Sequence, residues 1–187
     1  MVETTSLANK LLIAMPSLAD PNFARSVTYV CEHNADGAMG IIINRLTDLK
    51  LRDVFEQLGI ENPAADHAAA PVYFGGPVQN NRGFVLHEPL GQWGSTLAVT
   101  DSIGVSTSRD ILEAIGASRG PGSYLVALGY AGWGPGQLER EISENSWLHA
   151  QASGEILFHT ALELRWQTAV QLTGANLTSL SGEAGHA

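Results

Sequence analysis

Apolar residues along this chain fall into two rhythms, short runs that alternate or stay apolar throughout and longer stretches where they recur every third or fourth position. The runs predict strands. LLIAMP (11–16) reads as a buried strand stopped by Pro16, and SVTYVCEH (26–33) and GIIINR (40–45) as two more, joined by NADGAM with its Asp36-Gly37 hairpin signal. VYFGG (72–76) and GFVLH (83–87) predict a second strand pair, bridged by PVQNNR with a turn at Asn80-Asn81. STLAVTD (95–101) adds another strand. SYLVALGYAG (123–132), apolar almost from end to end, predicts a central strand covered on both faces.

The helical rhythm appears four times. Leu51, Val54, Phe55 and Leu58 predict a helix capped by Asp48 and stopped at Gly59. Ile111, Leu112 and Ile115 predict a second, capped by Ser108 and ended by GPG (120–122). Leu138 and Ile142 line a third, with Pro135 in its first turn. The last opens at Thr160 with a capping box closed by Glu163, and buries Leu162, Trp166, Ala169 and Val170. Trp147 and Leu148 read as core anchors, and IENPAADHAAAP (60–71) as a connector. Hairpins interrupted by single helices predict one α+β (mixed α/β) domain over residues 1–187, a largely antiparallel sheet with about four helices packed on it. Polar ends without period, about 1–7 and 174–187, are expected to be loosely held.

Charge narrows the partners. Nineteen acidic against ten basic residues give a net charge of −9, and the basic residues are scattered singly, so no direct nucleic-acid binding is expected. Cys31 is the sole cysteine, which excludes an intrachain disulfide or a multi-cysteine zinc site and fits a reducing compartment. Apolar runs as short as LLIAM and GIII, with no basic leader at the start, predict a cytoplasmic protein without a membrane partner.

GWGPGQLERE (132–141) runs a strand through glycines into a helix, a junction able to hold an anion on free N–H groups. It lacks the Gly-Lys-Ser/Thr ending of a phosphate loop and the Gly-x-Gly-x-x-Gly spacing of a dinucleotide site, and Glu139 and Glu141 already complement the helix dipole. We read it as architecture and expect no cofactor. The six histidines show no metal-ligand spacing, so no metal is expected either.

Strand alternation over 27–33 puts Cys31 and His33 on one face, the one arrangement from which a thiol-dependent or hydrolytic enzyme could be built. The simpler reading makes Cys31 a small buried hydrophobe and His33 the partner of an adjoining turn. Asp20, Asn22 and Arg25 form a polar loop after a buried strand, and Asn44, Arg45, Gly75, Gly76 and His87 stand at strand ends. Together these eight are the candidate rim of a ligand site.

LLIAMPSLADPNFARSVTYVCEHN, GIIINR, YFGGPV, GFVLH, LGYAGWGPGQLEREI and NSWL, in this order and over most of the chain, resemble the YqgE/AlgH family of bacterial proteins. The resemblance implies a coiled, mixed sheet and a regulatory connection, named for alginate control in some bacteria, but supplies no catalytic residues. Where the family has Asn-Arg-Pro, this chain has Asn44-Arg45-Leu46, without the rigid turn a proline would set. The expected function is therefore a non-enzymatic binding or regulatory protein, acting on transcription indirectly if at all, through an unknown protein or small-molecule partner. The alternative is an enzyme using Cys31 and His33.

Overall fold

A computed structural model describes residues 6–15 and 23–174. The chain opens with β1 (Lys10–Ala14), β2 (Val27–Asn34), β3 (Gly37–Ile42) and β4 (Leu46–Lys50), followed by α1 (Leu51–Gln57) and the short α2 (Ala65–Ala68). Then come β5 (Pro71–Phe74), β6 (Val78–Glu88), β7 (Thr96–Ala98), β8 (Gly104–Ser106) and α3 (Arg109–Gly116). It finishes with β9 (Ser123–Trp133), α4 (Gln137–Ser143), β10 (Trp147–Gln151), a π-helical turn (Glu155–His159), a 3-10 turn (Leu162–Leu164) and α5 (Arg165–Leu172).

One curled sheet runs β10-β1-β2-β3-β9-β6-β8-β7, with β4 and β5 as a ribbon attached to β9. Among the described residues every pairing is antiparallel except β5 with β9. The fold is the expected α+β single domain. Strand β9 is central, as its apolar run predicts: β6 lies along one edge, while the other edge meets β5 at Val126–Leu128 and then β3 at Ala131–Trp133. The change of partner needs two backbones in near contact. A Cβ on Gly75 would stand 2.4 Å from the Gly129 carbonyl oxygen, and one on Gly76 2.0 Å from the Tyr130 carbonyl carbon, so only glycine fits.

Three apolar clusters sit on this sheet. The largest gathers Leu11, Tyr29, Cys31, Ile41, Leu86 and Ala127 under the π turn and α5. A second packs Leu138 of α4 against Leu12, Val30, Trp133 and Trp147, and a third packs α1 and α3 against Val85 and Val126. Each fully buried Leu or Ile, such as Leu138 and Ile111, contributes roughly 1.5–3 kcal/mol relative to an exposed position.

Several expectations are corrected. The segments 72–76 and 83–87 form no hairpin, because β5 and β6 lie on opposite edges of β9, and Asn80-Asn81 belongs to a bulge inside β6. Helix α1 is capped at Lys50, whose N–H donates to the Asp53 carboxylate at 2.8 Å, while Asp48 lies in β4; Gly59 ends the turn with φ +70° as expected. Pro135 stands outside α4, whose N-cap is Gly136 in the left-handed region. No capping box opens at Thr160: its carbonyl accepts from Arg165 Nε, and helix α5 starts only at Arg165. Leu7, placed in the loose head expected over about 1–7, is buried and its N–H donates to His33 Nδ1 at 2.9 Å, while residues 1–5 lie outside the described residues. The expected loose tail lies almost wholly outside the described residues.

Candidate functional site

The bulge of β6 creates a cleft. Register jumps from Val78 opposite Tyr130 to Gly83 opposite Leu128, so the extra residues of PVQNNRG loop away from β9, with Gln79 at φ 48°. Helices α1 and α3 pack beside this excursion and leave a cavity of about 350 Å³. Its floor is apolar, built from Val54, Leu58, Leu112, Val126 and Leu128, and Asp53, Arg82 and Arg109 stand among its polar lining. Nothing occupies the space beside the Gly83 Cα, which keeps the cleft open on the β6 side.

Neither arginine is spent on a buried partner. Arg82 donates from Nη1 to Gln79 Oε1 at 3.4 Å, with its guanidinium 5.7 Å from the Phe84 ring. Arg109 lies 3.6 Å from Glu113, with both side chains about half exposed, a geometry whose ion pair stabilises little. On the far side of the bulge Arg82 also borders an open trough that carries Glu32, Asp36, Met39 and Tyr130. The cleft thus joins an apolar floor to two arginines and Asp53 in its lining, a setting that can receive an anion attached to an apolar body.

The residues expected at a rim separate into three places. Arg25, Asn44 and Arg45 do come together: Asn44 accepts from the Val27 N–H and donates to the Arg25 carbonyl, and Arg45 donates to the Ala24 carbonyl. Arg25 has φ 55° and its guanidinium lies 4.2 Å above the Trp166 ring. Gly75 and Gly76 are buried at the β5–β9 crossing, where Gly75 accepts from the Ile42 N–H. His87 is wholly buried, its Nδ1–H donating to the Pro89 carbonyl and its Nε2 accepting from the Ser106 hydroxyl at 2.7 Å. Asp20 and Asn22 lie outside the described residues. None of the described six lines the cleft, whose arginines look in the sequence like two more scattered charges.

The AlgH-like family (DUF179) matches residues 11–178. A UPF0301 protein of Methylococcus capsulatus is 53% identical over 184 residues, covering 98% of each chain, and one of Thioalkalivibrio sulfidiphilus 54% identical over the full length of both. This chain belongs to the AlgH-like family. The solution structure of the AlgH protein from Pseudomonas aeruginosa superposes with a TM-score of 0.81 at 48% identity, covering 100% of this chain and 99% of that one. A Corynebacterium diphtheriae crystal structure shares the fold at a TM-score of 0.72 and 20% identity, covering 95% and 91%.

In this AlgH-like chain Glu139 and Glu141 of the GWGPGQLERE stretch do more than face a dipole. Glu141 Oε1 accepts from both Trp133 Nε1 at 3.0 Å and Trp147 Nε1 at 2.9 Å, and its Oε2 accepts from Gln137. One carboxylate therefore fixes two indoles. Glu139 stands 3.3 Å from His33 Nε2. That contact exposes an error in the alternation: β2 carries a bulge between Val30 and Glu32, and past it every side chain changes face. Cys31 packs with Tyr29 in the largest cluster, while His33, opposite Ala38, turns toward α4. Burial pushes the Cys31 thiol well above its ordinary range, with Glu32 adding to the shift, so the thiolate is disfavoured.

Proposed function

We propose that this AlgH-like protein is a cytoplasmic binding protein without a catalytic cycle of its own, taking a small anionic ligand with an apolar body in the cleft beside the β6 bulge. The observation that carries this reading is the pair Arg82 and Arg109 over an apolar floor, two of only ten basic residues in a chain of net charge −9. A phosphate or carboxylate accepts from the guanidiniums, while an alkyl or ring portion covers Leu112 and Val126. The separation of Cys31 from His33 and the raised thiol pKa speak against thiol chemistry. No helix among the described residues is long and apolar enough to cross a membrane.

Titration with n-hexyl phosphate against n-hexanol, followed by amide NMR shifts, tests the cleft. The phosphate should give saturable shifts at Leu58, Gly83 and Leu112, abolished in Arg82→Ala and Arg109→Ala at unchanged thermal stability. Equal responses to the alcohol, or shifts indifferent to both variants, would refute the site. Any effect on transcription then runs through the ligand or a protein partner. Gel shifts at physiological salt should accordingly show no submicromolar DNA complex, and a tight complex with a steep salt slope would contradict this.

A further inference from the structure

Arg165 is 5% exposed and is the only lysine or arginine buried so deeply among the described residues. Its partners are all neutral. Nε donates to the Thr160 carbonyl at 3.0 Å, and Nη1 donates to the Ile43 carbonyl and to the Tyr73 hydroxyl at 3.1 Å. No carboxylate among the described residues lies within ion-pair distance of it. A guanidinium carries five N–H donors. These bonds use three, so both N–H groups of Nη2 are left without a protein acceptor and free to meet a ligand.

The same residue lines a cavity of about 210 Å³, walled by Tyr73, Tyr124, Leu157 and Phe158. Leu157 and Phe158 come from the π turn, a helical irregularity that recurs at functional sites. Burial pushes the Tyr124 phenol up to about 12, with Asp66 adding to the shift, so it stays protonated in its 2.7 Å hydrogen bond with His67. The wall is therefore aromatic and neutral, and Arg165 is its sole cation among the described residues. We propose that this cavity is a second ligand site, independent of the cleft beside the β6 bulge, and that it binds a small aromatic monocarboxylate, one oxygen of which accepts from an Nη2 N–H of Arg165. The volume lies below the ~300 Å³ at which drug-sized pockets begin, which suits a single ring. A phosphate dianion would bring a second charge that no second cation lining the cavity answers.

Sodium benzoate and its neutral isostere benzamide, each titrated into the full chain and followed by amide shifts and the Arg165 Nε–H resonance, decide the matter. Benzoate should shift Leu157, Phe158 and the Arg165 side chain saturably, with benzamide at least tenfold weaker. Arg165→Lys, which keeps the charge but not the donor geometry, should weaken benzoate at least tenfold, while Arg82→Ala should leave it unchanged. Should Arg165→Lys fail to fold, Phe158→Ala retains the guanidinium and should weaken benzoate by removing one wall, and the benzoate–benzamide contrast stands on the unaltered chain. Equal binding of benzamide, no saturable shift at tens of millimolar benzoate, or shifts confined to Leu58, Gly83 and Leu112 would overturn the proposal. The last result would assign benzoate to the β6 cleft instead, so the two sites fail separately.

Discussion

Single side chains carry long-range joints in this fold. Glu141 is the acceptor for two indoles from different strands, so its removal orphans two partly buried donors at once. Glu141→Ala should cost about 1–3 kcal/mol per orphaned donor in urea unfolding, with both indole N–H resonances moving, whereas Glu141→Gln keeps an acceptor and should cost less. Unshifted indole resonances in the alanine variant would show that the carboxylate is not their partner. His87 carries the opposite kind of consequence. Burial lowers its pKa from the ordinary 6.5 despite the Pro89 hydrogen bond, so the unfolded chain takes the proton first. Its contribution is complete above about 6.5 and is lost as the pH falls below that value toward the folded-state pKa. Denaturation on either side of that pH should show a loss on the acid side that His87→Gln lacks; an equal loss in both proteins would acquit this residue.

At the scale of elements, what the sequence made legible was whatever kept a single period. Helix α3 and strand β9 follow 3.6-residue and fully apolar patterns without interruption, and both formed as expected. Strand β4 escaped notice because it is almost wholly exposed and shows no alternation, and β8 because three residues are too few to show a period. The two bulges did the most damage. In β2 one extra residue moved His33 to the other face from Cys31, and in β6 a longer excursion built the cleft from a stretch that reads as an ordinary turn. Arg165 was hidden for another reason: sequence gives no sign that a charged residue at a helix start will be buried. Glycines make a test at this scale. Gly76→Ala forces a Cβ to 2.0 Å from the Tyr130 backbone and should destabilise by about 1–3 kcal/mol or more, whereas Gly83→Ala enters open space and should leave stability nearly unchanged. Because Gly83 lines the cleft, its alanine variant should nonetheless weaken hexyl phosphate. Equal thermal shifts in the two variants would contradict the crossing geometry.

Across the whole molecule the three apolar clusters share one strand: β9 supplies Leu125 and Ala127 to the first, Ala131 and Trp133 to the second and Val126 to the third. Losing β9 empties all three. Tryptophan fluorescence, which samples every cluster through Trp93, Trp133, Trp147 and Trp166, should therefore change in one transition coincident with far-ultraviolet dichroism. Separate midpoints would mean that the clusters unfold independently. The pairing of β1 with β10 bears on synthesis. Lys10 faces Gln151, and among the described residues β1 has only β2 as its other neighbour, so for most of translation the outer edge of β1 has no described strand to meet. A ribosome-bound chain that has not yet exposed residue 151 carries the apolar strand Leu11–Ala14 with one open edge, the form most prone to pair with another nascent copy. Closure waits for the last of the ten described strands, which makes this a slow-closing topology by its sequence separations and sets the vulnerable interval by the speed of elongation rather than by the stability of the finished fold.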